Sequence, residues 1–172
     1  MNPDNLSSAP GVSRGITVIL ASGFLFGVID FIAASVQTGG GPVLTGKIVA
    51  SVLVGGVAFN GGAWPVVLGV AMHFAVAMTV AAIFYGLSLR WSTLLQHAVR
   101  AGVLYGLGVF AVMNYGVLPL LSWLRSLYLH TAVSLKGPMG WPQVIIHVFF
   151  VGLPLALLQR WLTRRASGAT AT

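Results

Sequence analysis

The sequence has no cysteine and only two acidic residues, Asp4 and Asp30. Without cysteine there are no disulfides, no thiolate metal sites and no cysteine nucleophile. With so few carboxylates, neither an acid–base pair nor a two-metal hydrolytic centre is expected, and no metal site is read from the sequence. No H-E-x-x-H or nucleophile-elbow motif is present. Charge as a whole is scarce: 6% of the 172 residues are charged, against roughly 25% in an ordinary soluble domain. Such a chain cannot cover itself for water. The expectation is a non-enzymatic protein whose solvent is the bilayer.

The net charge of +7 does not point to nucleic acid, because the basic residues are not clustered. They flank apolar runs instead, as topology signals do, and the Arg160, Arg164, Arg165 trio is placed to meet anionic lipid headgroups. Four runs reach the roughly 20 residues a spanning helix needs: 15–36, 64–89, 101–121 and 141–162. Polar tails at 1–13 and 163–172 complete one transmembrane domain over 1–172. The polar lead is long and carries Asp4, so the first run is expected to be an uncleaved span rather than a secretory signal. All five tryptophans, Trp64, Trp91, Trp123, Trp141 and Trp161, fall at run edges, where the interface favours them. Pro65 and Pro142 each follow a tryptophan at a helix start, where a missing N–H costs nothing.

Two segments, Ile48–Phe59 and Leu120–Leu129, are too short or too polar to span and read as interfacial or re-entrant helices, with an ordered loop as the alternative for each. "TGGGP", Thr38 to Pro42, is a turn or hinge; it lacks the lysine and strand of a phosphate loop. The fold class is therefore all-α: four transmembrane helices plus two interfacial or re-entrant segments. The two halves resemble each other. "GFLFGVIDF" (Gly23 to Phe31) parallels "GVLYGLGVF" (Gly102 to Phe110), and "WPVVLGVAMHF" (Trp64 to Phe74) parallels "WPQVIIHVF" (Trp141 to Phe149). Two spans per half would make these parallel repeats about an axis along the membrane normal. Gly23 and Gly27, Gly102 and Gly106, and Gly69 with Ala77 and Ala81 form seams of small residues suited to close helix approach.

With four spans, Arg14, Arg90, Arg100, Arg160, Arg164 and Arg165 share one side, and Lys47, Arg125 and Lys136 the other. The positive-inside rule then puts both termini in the cytoplasm. Asp30, His73, Asn114 and His147 all fall roughly 9–14 Å below the outer surface at about 1.5 Å rise per residue. They form an intramembrane polar layer. Its expected roles are three. It fixes helix register as a polar cluster. His73 and His147 supply both axial ligands of a b-type haem. Or Asp30 and the histidines form a proton or ion relay, although the inner half offers mainly Thr17, Ser22, Thr79 and Tyr85. His97 and His130 read as solvated loop histidines.

"GKIVASVLVGGVAF", "GVAMHFAVAMTVAAIFYGL" and "GVLYGLGVFAVMNYGVLPLLSW" resemble the YagU-like group of small bacterial inner-membrane proteins. The shared marks run from Lys47 to Leu121 and include His73-Phe74, Tyr105-Gly106, Met113-Asn114 and Pro119-Leu120; Asp30 and His147 fall outside them. The resemblance implies a four-span protein of the bacterial plasma membrane and brings no activity with it. The leading expectation is an accessory or scaffolding subunit that packs against partner membrane proteins or a second copy of itself, with no cofactor. The alternatives are a haem b electron-transfer subunit and a small proton-linked permease.

Overall fold

Proline and glycine punctuate this chain into helices. The computed structural model describes residues 10–130 and 140–168; Asp4, Lys136 and the ends of both polar tails lie outside them. Helix α1 runs Pro10–Thr38 and α2 Gly41–Val54, with the short turn α3 at Val57–Asn60 and then α4 at Trp64–Arg90. After α5 (Thr93–Gln96), α6 (Ala98–Ala111) passes through a π turn at Val112–Val117 into α7 (Leu118–Leu129). Helix α8 (Trp141–Ile146) likewise passes through a π turn at His147–Gly152 into α9 (Leu153–Gly168). Four continuous helices are long and apolar enough to cross a membrane: Val12–Thr38, Trp64–Arg90, Ala98–Leu129 and Trp141–Arg165. Their surfaces carry exposed Val36, Leu104 and Val112, as a lipid-facing surface requires.

Two expectations change. Leu120–Leu129 is not a separate segment, because the third span continues through it to Leu129. Pro119 has no N–H to offer the carbonyl four residues back, and its ring would crowd that carbonyl. The π turn just ahead of it widens the helix and takes up the misfit without a break. Pro154, two residues past the second π turn, repeats the arrangement. The apolar segment Ile48–Phe59 is also redrawn. Its helix begins earlier, at Gly41 with Pro42 in the first turn, and stops at Gly55, whose φ of 70° is open to glycine and costly for other residues. At 14 residues α2 is too short to span. The chain enters it from Thr38, where the first span ends, and goes on toward Trp64, where the second begins.

Glycine sets the helix contacts. Lipid gives two apolar helices no hydrophobic reason to associate, so close backbone contact has to supply it. Helix α1 rests Gly23 on Met78 and Ala81 of α4, and Gly27 on Phe74 and Ala77. Gly69 does not join Ala77 and Ala81 in that contact. It faces α2, where a methyl group would fall on the Gly46 carbonyl. Gly102 and Gly106 of α6 meet Gly152, Leu153, His147 and Val148 of the fourth span just as closely. The repeated Gly-x-x-x-Gly pair thus packs each odd span against the even span that follows it. The buried core lies between these pairs and includes Phe26, Ala77, Ala81, Phe84, Leu155 and Ala156.

Gly69→Ala is expected to destabilise the bundle by about 1–3 kcal/mol through overpacking. Gly86→Ala, where an added methyl meets open space, should leave stability unchanged or raise it by up to about 1 kcal/mol. Unfolding of both variants in micelles by titration with a denaturing detergent measures the difference, and equal losses would refute the steric account.

Candidate functional site

Helices α4 and α6 have no glycine seam between them. They meet through a side chain: the Tyr105 hydroxyl donates to the Val80 carbonyl at 2.7 Å, and its ring stands edge-on to Phe84, 4.9 Å between centroids. Held apart this way, the second and third spans leave a cavity of about 790 Å³ toward the α2 end. Its lining is mainly apolar. Phe26, Val80, Val109 and Val151 line its deep part, Met72, Met113 and Val117 its walls, and Ile48 to Phe59 its α2 end.

All four residues of the expected polar layer line this cavity: Asp30, His73, Asn114 and His147. Asp30 lies on α1 and faces His73 of α4, Oδ2 to Nε2, at 4.0 Å. That is ion-pair distance and too long for a hydrogen bond. The closer partner of His73 Nε2 is the Gly27 carbonyl, at 2.9 Å, so this nitrogen carries the hydrogen. The His73 ring is held by Phe31 and Phe74, at centroid distances of 5.0 and 5.4 Å. His147 donates from Nδ1 to the Gln143 carbonyl at 2.8 Å, and its ring lies 5.6 Å from that of Phe110. Asn114 sits inside the first π turn and donates from Nδ2 to the Phe110 carbonyl at 2.9 Å. His147 opens the second π turn. The two widened turns therefore present the polar groups contributed by the second half.

The haem expectation meets this geometry at His73. Bis-histidine ligation uses a nitrogen lone pair from each ring, and His73 Nε2 is turned to the Gly27 carbonyl. His147 presents a free Nε2, whereas His73 would have to ligate through Nδ1 or give up the Gly27 carbonyl. Among the described residues no three His, Asp or Glu side chains converge to hold a metal ion.

A latch joins α2 to the third span. Arg125 donates to the Ser51 carbonyl at 2.8 Å and reaches toward Val52 at 3.4 Å. The Tyr128 hydroxyl donates to the Leu53 carbonyl. These are last-turn carbonyls at the negative end of α2; that of Ser51 also accepts from the Gly55 N–H at 2.9 Å, while those of Val52 and Leu53 lie beyond the last donor the helix supplies. Lys47 ties down the following turn by donating to the Phe59 carbonyl at 3.1 Å, and the Thr38 and Thr45 hydroxyls, 3.1 Å apart, join α1 to α2. At the opposite end, fully buried Gln159 donates to Ser22 Oγ at 3.1 Å and to the Ala81 carbonyl at 2.9 Å, knitting three spans. Arg165 lies over the Trp161 ring at 3.9 Å, Arg164 is exposed, and Arg160 borders a small basic pocket with His97 and Arg100. His97 and His130 are both exposed at helix ends.

Sequence reading missed Arg125, Tyr128 and Gln159. Gln159 carried a signal: with Val148, Val151 and Leu155 it continues one buried face at helical spacing. The latch carried none, because its partners lie 73 to 75 positions apart. Comparisons with family models, curated proteins and solved structures each found no match.

Arg125→Ala should cost about 1–3 kcal/mol, because the α2 carbonyls lose a charged donor, while Tyr128→Phe should cost about 1 kcal/mol. Hydrogen exchange over residues 52–58 in micelles should speed up in that order, and unchanged exchange in Arg125→Ala would show that α2 is held by its glycine contact alone.

Proposed function

We propose that this chain is a small permease-type membrane protein that takes an amphiphilic solute into the cavity between its second and third spans. One observation carries the proposal. A cavity of about 790 Å³, mainly apolar, collects the sole carboxylate of the spanning helices with two histidines and an asparagine. Small-molecule sites are typically about 300–1,000 Å³, with a few polar groups set in an apolar lining. Ionisable groups inside membrane spans are costly and usually face functional cavities. The Asp30–His73 pair is where a proton would be exchanged with the solute's passage. The basic residues support a placement in which both termini are cytoplasmic and the α2 end, with its cavity, faces outward. The resemblance to bacterial inner-membrane proteins supports a plasma-membrane location.

An accessory role, packing against partner subunits, would draw on the same lipid-facing surfaces and leave the cavity without a use. The haem alternative lacks a free Nε2 on His73.

A solute cavity is reachable from water, and a packing void is not. The chain has no cysteine, so single cysteines report cleanly. Val117→Cys, in the cavity wall, should react with N-ethylmaleimide at least tenfold faster than Val112→Cys, which is 62% exposed on the outer face of the same π turn. The thiolate that reacts forms only in contact with water. An unreactive Val117→Cys would overturn the proposal.

A further inference from the structure

On the footing that this cavity is the solute site, we infer that the solute is an amine bound as its ammonium form, with a hydrocarbon body. The polar layer presents more acceptors than donors, and all but one of its donors are committed. Asn114 uses Nδ2 on the Phe110 carbonyl, which leaves Oδ1 without a partner among the described residues. A carbonyl can only accept, so the ring nitrogen beside each one carries the hydrogen. His147 therefore donates from Nδ1 to Gln143 and, as a neutral imidazole, turns a bare Nε2 to the cavity. His73 donates from Nε2 to Gly27 and keeps a bare Nδ1. Asp30 makes no hydrogen bond among the described residues, and the ring nitrogen facing it, His73 Nε2, is 4.0 Å away.

Four acceptor groups thus border one space, and the one uncommitted donor among them is the second N–H of Asn114 Nδ2. A carboxylate or a phosphate placed there would have that single N–H to bind and the Asp30 carboxylate to oppose it. A primary ammonium brings three N–H donors and the charge that complements Asp30. Ser51 also lines the cavity but spends its hydroxyl on the Ile48 carbonyl at 2.6 Å, and the other side-chain donors there are Ser122 and Arg125. They lie along the third span roughly 12 and 16 Å from Asn114, at about 1.5 Å per residue. Arg125 is also turned to the α2 carbonyls. Its positive charge at that end directs an ammonium inward to the layer. A metal cation would need ligands gathered more tightly than these. On both sides of the layer the lining is apolar, with Phe26 and Val80 beyond it and Met113 and Val117 beside it, so the amine carries a hydrocarbon chain or ring.

The probe is protection of Val117→Cys from N-ethylmaleimide in the full-length protein, using hexylamine, hexan-1-ol, hexanoate and hexyltrimethylammonium. Hexylamine should protect at a concentration at least tenfold lower than hexan-1-ol, and hexanoate should not protect. Hexyltrimethylammonium, which has the charge without the N–H donors, should be several-fold weaker than hexylamine. Adding Asp30→Asn should raise the half-protecting concentration of hexylamine tenfold or more and leave that of hexan-1-ol unchanged. If Asp30→Asn does not fold, Asn114→Leu takes its place, with an expected several-fold loss confined to the amine. Equal protection by hexylamine and hexan-1-ol, or by hexylamine and its trimethyl analogue, overturns the amine assignment and leaves the solute cavity standing. So does an amine affinity indifferent to the substitution. A cysteine that never labels overturns both.

Discussion

The bundle depends on bringing backbones into contact without side chains between them. Water would drive apolar helices together; lipid does not, and the contact has to be attractive at close range. Gly69 crosses α2 so closely that a methyl group on it would fall on the Gly46 carbonyl, while one on Gly46 would press on Val66, and Gly102, Gly106 and Gly152 form a second such crossing. The first crossing holds α2 across the beginning of α4. The second locks the third span to the fourth. With α1 resting Gly23 and Gly27 on α4, the helices are grouped before any polar interaction is added.

The cavity follows from where such contact is missing. Tyr105 reaches from α6 to the Val80 carbonyl and keeps the second and third spans a side chain apart. On the α2 side of this strut the gap stays open, and α2 closes over it because Arg125 and Tyr128 hold its last carbonyls. In hydrocarbon, a helix end with unpaired carbonyls is costly. The latch therefore answers a requirement of α2 itself, and the wall it completes is a by-product. On the other side of the strut, Gln159 joins three spans by hydrogen bonds.

Much of this was legible because bilayer thickness turns sequence position into depth. Counting residues from the span ends placed Asp30, His73, Asn114 and His147 in one layer, and they line one cavity. Counting does not give the direction of a hydrogen bond. That His73 turns Nε2 to Gly27 on α1 depends on how α1 and α4 are rotated about their axes, which no single helix records. The length of the third span was hidden for a different reason: Arg125 and Ser126 make Leu120–Leu129 look too polar to span, and a π turn that absorbs Pro119 looks like ordinary apolar sequence. Gln159 stands beside Arg160, whose charge marks the water interface, so its burial is not apparent from its neighbours. Pairings across more than 70 residues, such as Arg125 with Ser51, are set by the folded arrangement of α2 and α7 and leave no local trace.

The two π turns also bear on how this chain tolerates changes of length. A π turn holds one residue more than the α turn it replaces, so the helix beyond it keeps the orientation it would have if that residue were missing. Losing one residue from 112–117 would return the third span to ordinary pitch while Arg125 still faced Ser51. A deletion anywhere else in that helix would swing the latch away by about 100°, one residue's turn at 3.6 per turn. Asn114 and His147 both sit within these widened turns. The polar groups of the second half thus occupy the two places where its spans can gain or lose a residue and still assemble, which makes the cavity's chemistry separable from its scaffold.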